Sequence, residues 1–134
     1  MKPMEIKIYY EDTDAGGVVY YANYLRYFER VRTELLESLG VSISQLAKEG
    51  VNFVVVKTEV NYISAAKLGD VLLIATKIIE LKKVSLTFEY EVTKKTDNTL
   101  VVKGITKLAC VNNNLKPIKI PPEIYNKIKT VYNL

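Results

Sequence analysis

Histidine is absent from this sequence of 134 residues, and cysteine occurs once. The missing histidine excludes Ser-His-Asp and Cys-His nucleophile systems, and it removes most of the zinc sites that proteins build. The single Cys110 excludes an intrachain disulfide and a cysteine-based metal cluster, and its apolar neighbours predict a packed side chain. We therefore expect no metal site in this chain.

Long apolar runs are missing as well. No stretch reaches the roughly 18 apolar residues that a membrane span needs, and the first residues do not form the charged and apolar regions of a signal peptide. We therefore expect a cytoplasmic protein. Contents of 49% hydrophobic and 25% charged residues are typical of a globular chain, and the length predicts one domain over residues 1–134.

The net charge of +4 is distributed unevenly. Residues 94–134 contain eight lysines and two acids, and such a basic segment can attract the phosphates of a nucleotide ligand or of nucleic acid. No aromatic stacking motif is interleaved with these lysines, so we expect no nucleic-acid binding. Most of the lysines are expected to lie on solvated strand and helix faces.

Hydrophobic periodicity predicts a strand, a long helix, a short helix, four further strands and a terminal helix. The predicted elements are a strand over 4–10, a helix over 22–39 ended by Gly40, a helix over 45–48 capped by Ser42 or Ser44, strands over 53–63, 71–81, 84–94 and 100–111, and a helix over 123–131 with Ile124, Ile128 and Val131 on one side.

The strand pattern also predicts how these elements pack. One face of the strand over 53–63 is expected to carry Val54, Val56, Thr58, Val60 and Tyr62. Short connections make the last three strands an antiparallel meander, with a hairpin turn at Asp97-Asn98. A long apolar helix face beside a five-stranded antiparallel sheet is best buried when the sheet wraps around the helix. The predicted fold class is therefore α+β.

The segment from Tyr10 to Tyr24 places carboxylates and glycines directly ahead of the long helix. The pair Gly16-Gly17 allows a positive φ and a close approach of the backbone to a ligand. Backbone N–H groups at a helix start have no intrahelical acceptor, so they can bind a carbonyl oxygen that becomes negative. We expect one of Asp12 and Asp14 to be structural, and a helix cap or an Asx turn is the alternative to catalysis for Asp14 as well.

A family resemblance follows from the pattern Tyr10-x-Asp12-Thr13-Asp14-Ala15-Gly16-Gly17-Val18-Val19-Tyr20-Tyr21-Ala22-Asn23-Tyr24, followed by Phe28-Glu29-x-x-Arg32-Thr33. This pattern resembles the 4-hydroxybenzoyl-CoA thioesterase family of hotdog-fold acyl-CoA thioesterases, and in particular the bacterial branch linked to the Tol-Pal system. The segment from Asn61 to Asp70 and the strands around it also fit, so the resemblance covers essentially the whole chain. It implies a hotdog fold.

The resemblance also implies residue roles. Asp14 corresponds to the catalytic carboxylate, which acts either as nucleophile on the thioester carbon or as general base for a water. Gly17 corresponds to the turn glycine, and the backbone N–H of Tyr21 would polarise the thioester carbonyl. The Tol-Pal-linked enzymes usually carry histidine at the position of Tyr21, and we expect tyrosine to be tolerated because the main chain does the work. Val19 and Tyr20 are expected to line the substrate site.

The implied substrate has a nucleotide part that needs positive charge near its phosphates. Lys57, Lys67 and Lys83 lie at predicted strand ends or turns where they can supply that charge. In the family, two subunits join their sheets edge to edge, which also covers an exposed edge strand. We therefore expect a homodimer or a homotetramer.

The expected function is hydrolysis of an acyl-CoA thioester, or of an acyl carrier protein thioester, to a free acid and a thiol without metal or organic cofactor. Two alternatives stay open. A hotdog dehydratase is disfavoured, since those relatives depend on a histidine for proton transfer. A non-catalytic protein that binds acyl-CoA or a nucleotide is the second alternative.

Overall fold

The order of the helices and strands is the predicted one. The computed structural model describes residues 1–134. Its elements are β1 (Met4–Lys7), α1 (Asn23–Ser38), α2 (Ile43–Lys48), β2 (Asn52–Tyr62), β3 (Val71–Leu81), β4 (Ser85–Lys94), β5 (Leu100–Val111) and α3 (Pro122–Tyr132), with a short 3-10 turn at Tyr10–Asp12. None of the helices is long and apolar enough to span a bilayer.

The five strands form one antiparallel sheet in the order β1-β3-β4-β5-β2. The predicted meander of β3, β4 and β5 is confirmed, and Asn98 has the positive φ of 60° that its hairpin turn requires. β2 precedes this meander in the chain but pairs with its last strand. The two edges of the sheet are therefore β1 and β2.

The core lies between α1 and the inner face of the sheet. The stripe of α1 that includes Tyr27, Phe28 and Val31 is buried, as is the inner face of β4. The ring of Phe28 stacks on that of Tyr90 with centroids 4.1 Å apart. The sheet wraps around the central helix, and the predicted α+β hotdog fold is confirmed.

One glycine of β5 permits this close approach of helix to sheet. A Cβ atom on Gly104 would lie 2.7 Å from the ring of Phe28, well inside the normal contact distance. Any other residue at this position would push the helix or the ring away from the sheet.

The helix boundaries follow local capping chemistry. α1 ends at Ser38, and Gly40 has the left-handed φ of 81° that ends many helices. Ser42, rather than Ser44, caps α2, because its Oγ accepts a hydrogen bond from the Gln45 N–H at 3.2 Å. The helix accordingly begins at Ile43, two residues earlier than predicted.

Three details of the predicted elements are wrong. The first strand ends at Lys7 rather than at residue 10, because the 3-10 turn at Tyr10–Asp12 follows it. Val54 and Val60 do not share a face of β2, since a bulge between Val55 and Lys57 reverses the alternation of side chains. Val131 is exposed on α3, where Ile124 and Ile128 form the buried side.

Candidate active site

Asp12 fastens the glycine-containing loop to the start of α1. Its carboxylate Oδ2 accepts a hydrogen bond from the Tyr9 N–H at 2.9 Å. Its backbone oxygen accepts from the Tyr20 N–H at 2.9 Å and from the side-chain amide of Asn23 at 3.1 Å. The sequence predicts that one of Asp12 and Asp14 is structural, and these contacts fit that role for Asp12.

Asp14 lies two residues further along, on the exposed part of the loop. Its Oδ1 accepts a hydrogen bond from the Gly16 N–H at 2.8 Å, which is an Asx turn. A backbone hydrogen bond closes the loop, because the Gly17 N–H donates to the backbone oxygen of Asp14 at 3.0 Å. Gly17 has a φ of 77°. The turn orients the carboxylate and leaves its second oxygen, Oδ2, without a hydrogen-bond donor in the chain.

Asp14 borders a cleft of about 380 Å³ between the loop, the start of α1 and the end of β2. Two strand-like contacts hold the walls together, because the Val19 N–H donates to the Ala66 oxygen at 2.8 Å and Val18 forms an antiparallel bridge with Lys67. The cleft is lined by Asp14, Val18, Val19, Tyr21, Tyr24, Tyr62, Ile63, Ser64 and Ala65. The wall is thus mainly apolar and aromatic, with one carboxylate at its edge.

Tyr21 supplies a free backbone donor at this cleft. Its N–H donates to no acceptor in the chain. Tyr21 precedes the N-cap residue of α1, Ala22, so the donor lies just outside the helix rather than in its first turn. The preceding peptide is held in place, because the Asn23 N–H donates to the Tyr20 oxygen at 2.9 Å.

The hydroxyls of Tyr24 and Tyr62 stay protonated at neutral pH. Burial, and secondarily Tyr62 and Asp70, raise the pKa of Tyr24 to about 12. Burial, with a smaller contribution from Tyr21, also raises the pKa of Tyr62. These two hydroxyls can therefore donate hydrogen bonds but cannot act as bases near pH 7. Asp14 is the only carboxylate residue that lines the cleft.

The structure brings together some of the predicted site residues. Asp14, Val19 and Tyr21 line the cleft, whereas Gly17 shapes the loop without lining it. The ring of Tyr20 lies beside that of Tyr21, with centroids 4.9 Å apart, but it is exposed and outside the cleft wall. The lining residues missed from the sequence are Val18, Tyr24 and the segment Tyr62, Ile63, Ser64 and Ala65. The quoted pattern from Asn61 to Asp70 includes that segment, but nothing local in it indicates a cleft.

The three predicted lysines are dispersed. Lys67 lies closest to the cleft, through its bridge to Val18. Lys57 lies in the middle of β2 and forms an exposed ion pair with Glu59 at 3.2 Å. Lys83 follows the far end of β3, roughly 35 Å of strand from Val71 at about 3.3 Å per residue. A single chain therefore does not bring Lys83 to Asp14.

The wrapped antiparallel sheet, with this loop against its central helix, places the chain in the thioesterase-like superfamily. A family model described as the thioesterase-like superfamily matches residues 9–128. The solved structure of DHNA-CoA thioesterase from Staphylococcus aureus superposes with a TM-score of 0.90 at 27% identity, over 98% of this chain and 93% of that chain.

Two curated relatives narrow this class. The acyl-CoA thioesterase YbgC of Haemophilus influenzae is 43% identical over 122 residues, which cover 89% of this chain and 88% of that protein. The acyl-CoA thioester hydrolase YbgC of Escherichia coli O157:H7 is 40% identical over 125 residues, which cover 92% of each. The chain belongs to the hotdog-fold thioesterases as a YbgC-like acyl-CoA thioesterase, and it is a thioester hydrolase.

Proposed function

We propose that Asp14 is the catalytic carboxylate of this thioesterase and that the Tyr21 N–H binds the thioester oxygen. The observation that carries the proposal is that Asp14, with one carboxylate oxygen free, and Tyr21, with an unused backbone N–H, line the same cleft. A neutral hydrogen-bond donor of this kind is most effective when it faces the oxygen that gains negative charge in the transition state.

The geometry suits hydrolysis by either of two routes. In one, Asp14 Oδ2 attacks the acyl carbon, the C–S bond breaks, the CoA thiolate leaves and takes a proton, and water hydrolyses the resulting anhydride. In the other, Asp14 takes a proton from a water that attacks the same carbon, the C–S bond breaks from the tetrahedral intermediate, and the leaving CoA thiolate takes the proton from Asp14. In both routes the Tyr21 N–H stabilises the same oxyanion.

The acyl group occupies the apolar part of the cleft. Val18, Val19 and Ile63 give it an aliphatic wall, and the rings of Tyr24 and Tyr62 give it an aromatic one. The thiol carrier is CoA, as in the YbgC relatives, and an acyl carrier protein thioester is a second substrate to test. The loop pattern supports a place in the 4-hydroxybenzoyl-CoA thioesterase family and its Tol-Pal-linked branch. The cytoplasmic location and the single-domain organisation stay predictions from the sequence.

The complete site requires two chains. β2 is an edge strand of eleven residues, and Val55 and Val56 on it are exposed. We place the contact of a homodimer along this edge, where a second β2 runs antiparallel to the first. A homotetramer then forms from two such dimers.

An antiparallel dimer explains the position of Lys83. β2 begins at the end of the sheet that carries Lys83 and finishes at Tyr62, at the end that carries the cleft. A two-fold axis between the two β2 strands therefore brings Lys83 of the second chain to the cleft end of this chain. Lys83 and Lys119 line a cavity of about 240 Å³ beside the start of α3, where positive charge suits the phosphates of CoA.

Asp14→Asn tests the catalytic role directly. Asparagine keeps the Oδ1 that accepts from the Gly16 N–H, so the Asx turn is preserved while the charge is lost. We expect thiol release from acyl-CoAs of short, long and aromatic chain to fall at least about 100-fold, as is usual for loss of a proton-transferring or nucleophilic group.

Asp97→Asn is the matched control. Asp97 forms the same kind of turn, with its Oδ1 accepting from the Thr99 N–H at 3.0 Å, in a hairpin away from the cleft. Its activity should stay within about two-fold of wild type. Full activity in Asp14→Asn would sink the assignment and leave Asp14 a turn former. No activity of the wild type on any acyl-CoA or acyl carrier protein thioester would favour the binding-protein alternative.

A further inference from the structure

The Tyr62 side chain connects the end of β2 to the backbone of Tyr21. Its hydroxyl donates a hydrogen bond to the Tyr21 oxygen at 3.0 Å, across 41 residues of sequence. No backbone N–H donates to that oxygen. The Tyr62 hydroxyl is thus the group that holds the peptide between Tyr21 and Ala22.

Tyr21 stands between two anchors. On its N-terminal side, the Tyr20 oxygen is held by the Asn23 N–H at 2.9 Å, and this peptide carries the free Tyr21 N–H. On its C-terminal side, the N–H of Ala22 has no acceptor in the chain, so the Tyr62 hydroxyl is the one hydrogen bond of that peptide. Removing it frees rotation about the Tyr21 backbone, and the direction of the Tyr21 N–H then depends on a single anchor.

The anchor itself is rigid because Tyr62 is part of the sheet. Tyr62 pairs with Val102 at the end of β2. The next two residues continue the attachment, since the N–H groups of Ile63 and Ser64 both donate to the Val101 oxygen, at 2.9 Å and 3.1 Å. Because the sheet holds Tyr62, the hydrogen bond from its hydroxyl fixes the Tyr21 backbone relative to the sheet.

Ring contacts also fix the orientation of the Tyr62 hydroxyl. The Tyr62 ring lies edge-on to the Tyr21 ring, with centroids 6.2 Å apart, and tilted against the Tyr24 ring at 5.8 Å. Edge-on aromatic pairs of this kind contribute favourably beyond the area they bury. The three rings form a small cluster at the wall of the cleft.

We infer that Tyr62 is a positioning residue, whose hydroxyl aims the Tyr21 N–H at the oxyanion of the thioesterase reaction. This inference rests on the proposed function, because the Tyr21 N–H must be the oxyanion donor. Tyr62 itself acts through the Tyr21 backbone, and its ring contributes separately as part of the cleft wall.

Tyr62→Phe separates these two contributions, since it removes the hydroxyl and keeps the ring. Loss of a whole oxyanion donor lowers kcat by roughly 100-fold to 1000-fold, so a donor that is retained but less well directed should cost about ten-fold in kcat. KM should stay within about two-fold, because the ring still lines the cleft. Tyr62→Leu should show the same loss in kcat with a higher KM.

Binding of inhibitors gives a second readout. A trifluoromethyl ketone analogue of acyl-CoA presents a hydrated, oxyanion-like centre, whereas an S-alkyl thioether of CoA has no carbonyl at the position of the thioester. Tyr62→Phe should weaken binding of the ketone by about the same factor as it lowers kcat. Binding of the thioether should stay unchanged, as expected for an interaction made in the transition state. Tyr132→Phe, which removes a half-buried tyrosine hydroxyl on α3, is the control and should change neither.

The outcomes distinguish this inference from the function on which it rests. Wild-type kcat in Tyr62→Phe, with impaired Tyr62→Leu, would show that Tyr62 is only a wall of the cleft. Equal weakening of ketone and thioether in Tyr62→Phe would likewise overturn a positioning role. Full activity in Asp14→Asn would instead refute the catalytic assignment, whatever Tyr62→Phe does. Thermal unfolding of each variant shows that the assays are done on folded protein.

Discussion

Asp12 and Asp14 have the same kind of side chain but different hydrogen bonds, because the backbone turns between them. Both oxygens of Asp12 face donors, from the Tyr9 N–H and from the Asn23 side chain. Asp14 accepts one hydrogen bond and keeps an oxygen free at the cleft. A carboxylate with hydrogen-bond donors on both oxygens, as in Asp12, stabilises the loop. A carboxylate that is oriented by one donor and keeps an oxygen free can react.

The raised pKa of Tyr24 makes the free energy of unfolding depend on pH in the alkaline range. The pKa of Tyr24 is raised to about 12, and an unfolded chain would titrate near its ordinary value of 10. The folded state therefore resists loss of this proton, and the stabilisation present below pH 10 is lost as the pH rises towards 12. Tyr24→Phe should make the free energy of unfolding fall less steeply between these values.

Denaturant unfolding at several pH values checks this prediction. Tyr10→Phe is the control, since Tyr10 is 82% exposed and should leave the pH dependence of the wild type unchanged. A Tyr24→Phe variant with the slope of the wild type would contradict the pKa assignment.

Contact between α1 and the sheet depends on one small residue. Gly104 on β5 lies under the ring of Phe28, which stacks on Tyr90 of β4. The central helix can therefore lie close to the sheet only where β5 has no side chain. The same close contact keeps the start of α1, and with it the loop, against the end of β2.

Gly104→Ala should destabilise the fold through this contact. The new Cβ would lie 2.7 Å from the Phe28 ring, and such overpacking in a core costs about 1–3 kcal/mol of unfolding free energy. Adding Phe28→Leu should recover part of that loss, because the smaller side chain makes room. Denaturant unfolding of the two single variants and the double variant measures the coupling, and strictly additive effects would refute a clash at this position.

The periodicity of individual elements was predictable, and their irregularities were not. Alternating residues such as Leu86, Phe88 and Tyr90 indicated β4 because one side of that strand is buried along its whole length. The bulge in β2 has no comparable signal, since the extra residue between Val55 and Lys57 shows only in the pairing of β2 with β5. The face that β2 presents to the core was mispredicted for that reason.

The edge strand β2 is the surface on which we propose that the whole molecule associates. β2 leaves a row of backbone groups unpaired along eleven residues, with Val56 55% exposed on it. The proposed dimer along this edge would pair those groups and bring Lys83 of the second chain to the cleft end.

Val56→Asp should weaken the proposed dimer, because it puts a charge from each chain into the exposed apolar edge where the two β2 strands would meet. Sedimentation or light scattering should show a shift towards monomer, with a rise in KM for acyl-CoA because the partner's lysines are lost. Val131→Asp, at an equally exposed valine on α3, is the control and should keep the oligomer. An unchanged oligomer in Val56→Asp would place the interface elsewhere.

The sequence by itself determined the types and order of the elements, the glycine-containing loop and the candidate carboxylates, because these depend on local periodicity and on the backbone freedom of residues such as Gly17. Only the tertiary structure decided which distant residues meet. It brings Tyr62 to Tyr21 and moves Lys83 away from Asp14. The physical reason is that strand pairing fixes long-range distances, and no local pattern encodes which strands pair. Here β2 lies beside β5 at the edge of the sheet, although β3 follows it in the chain.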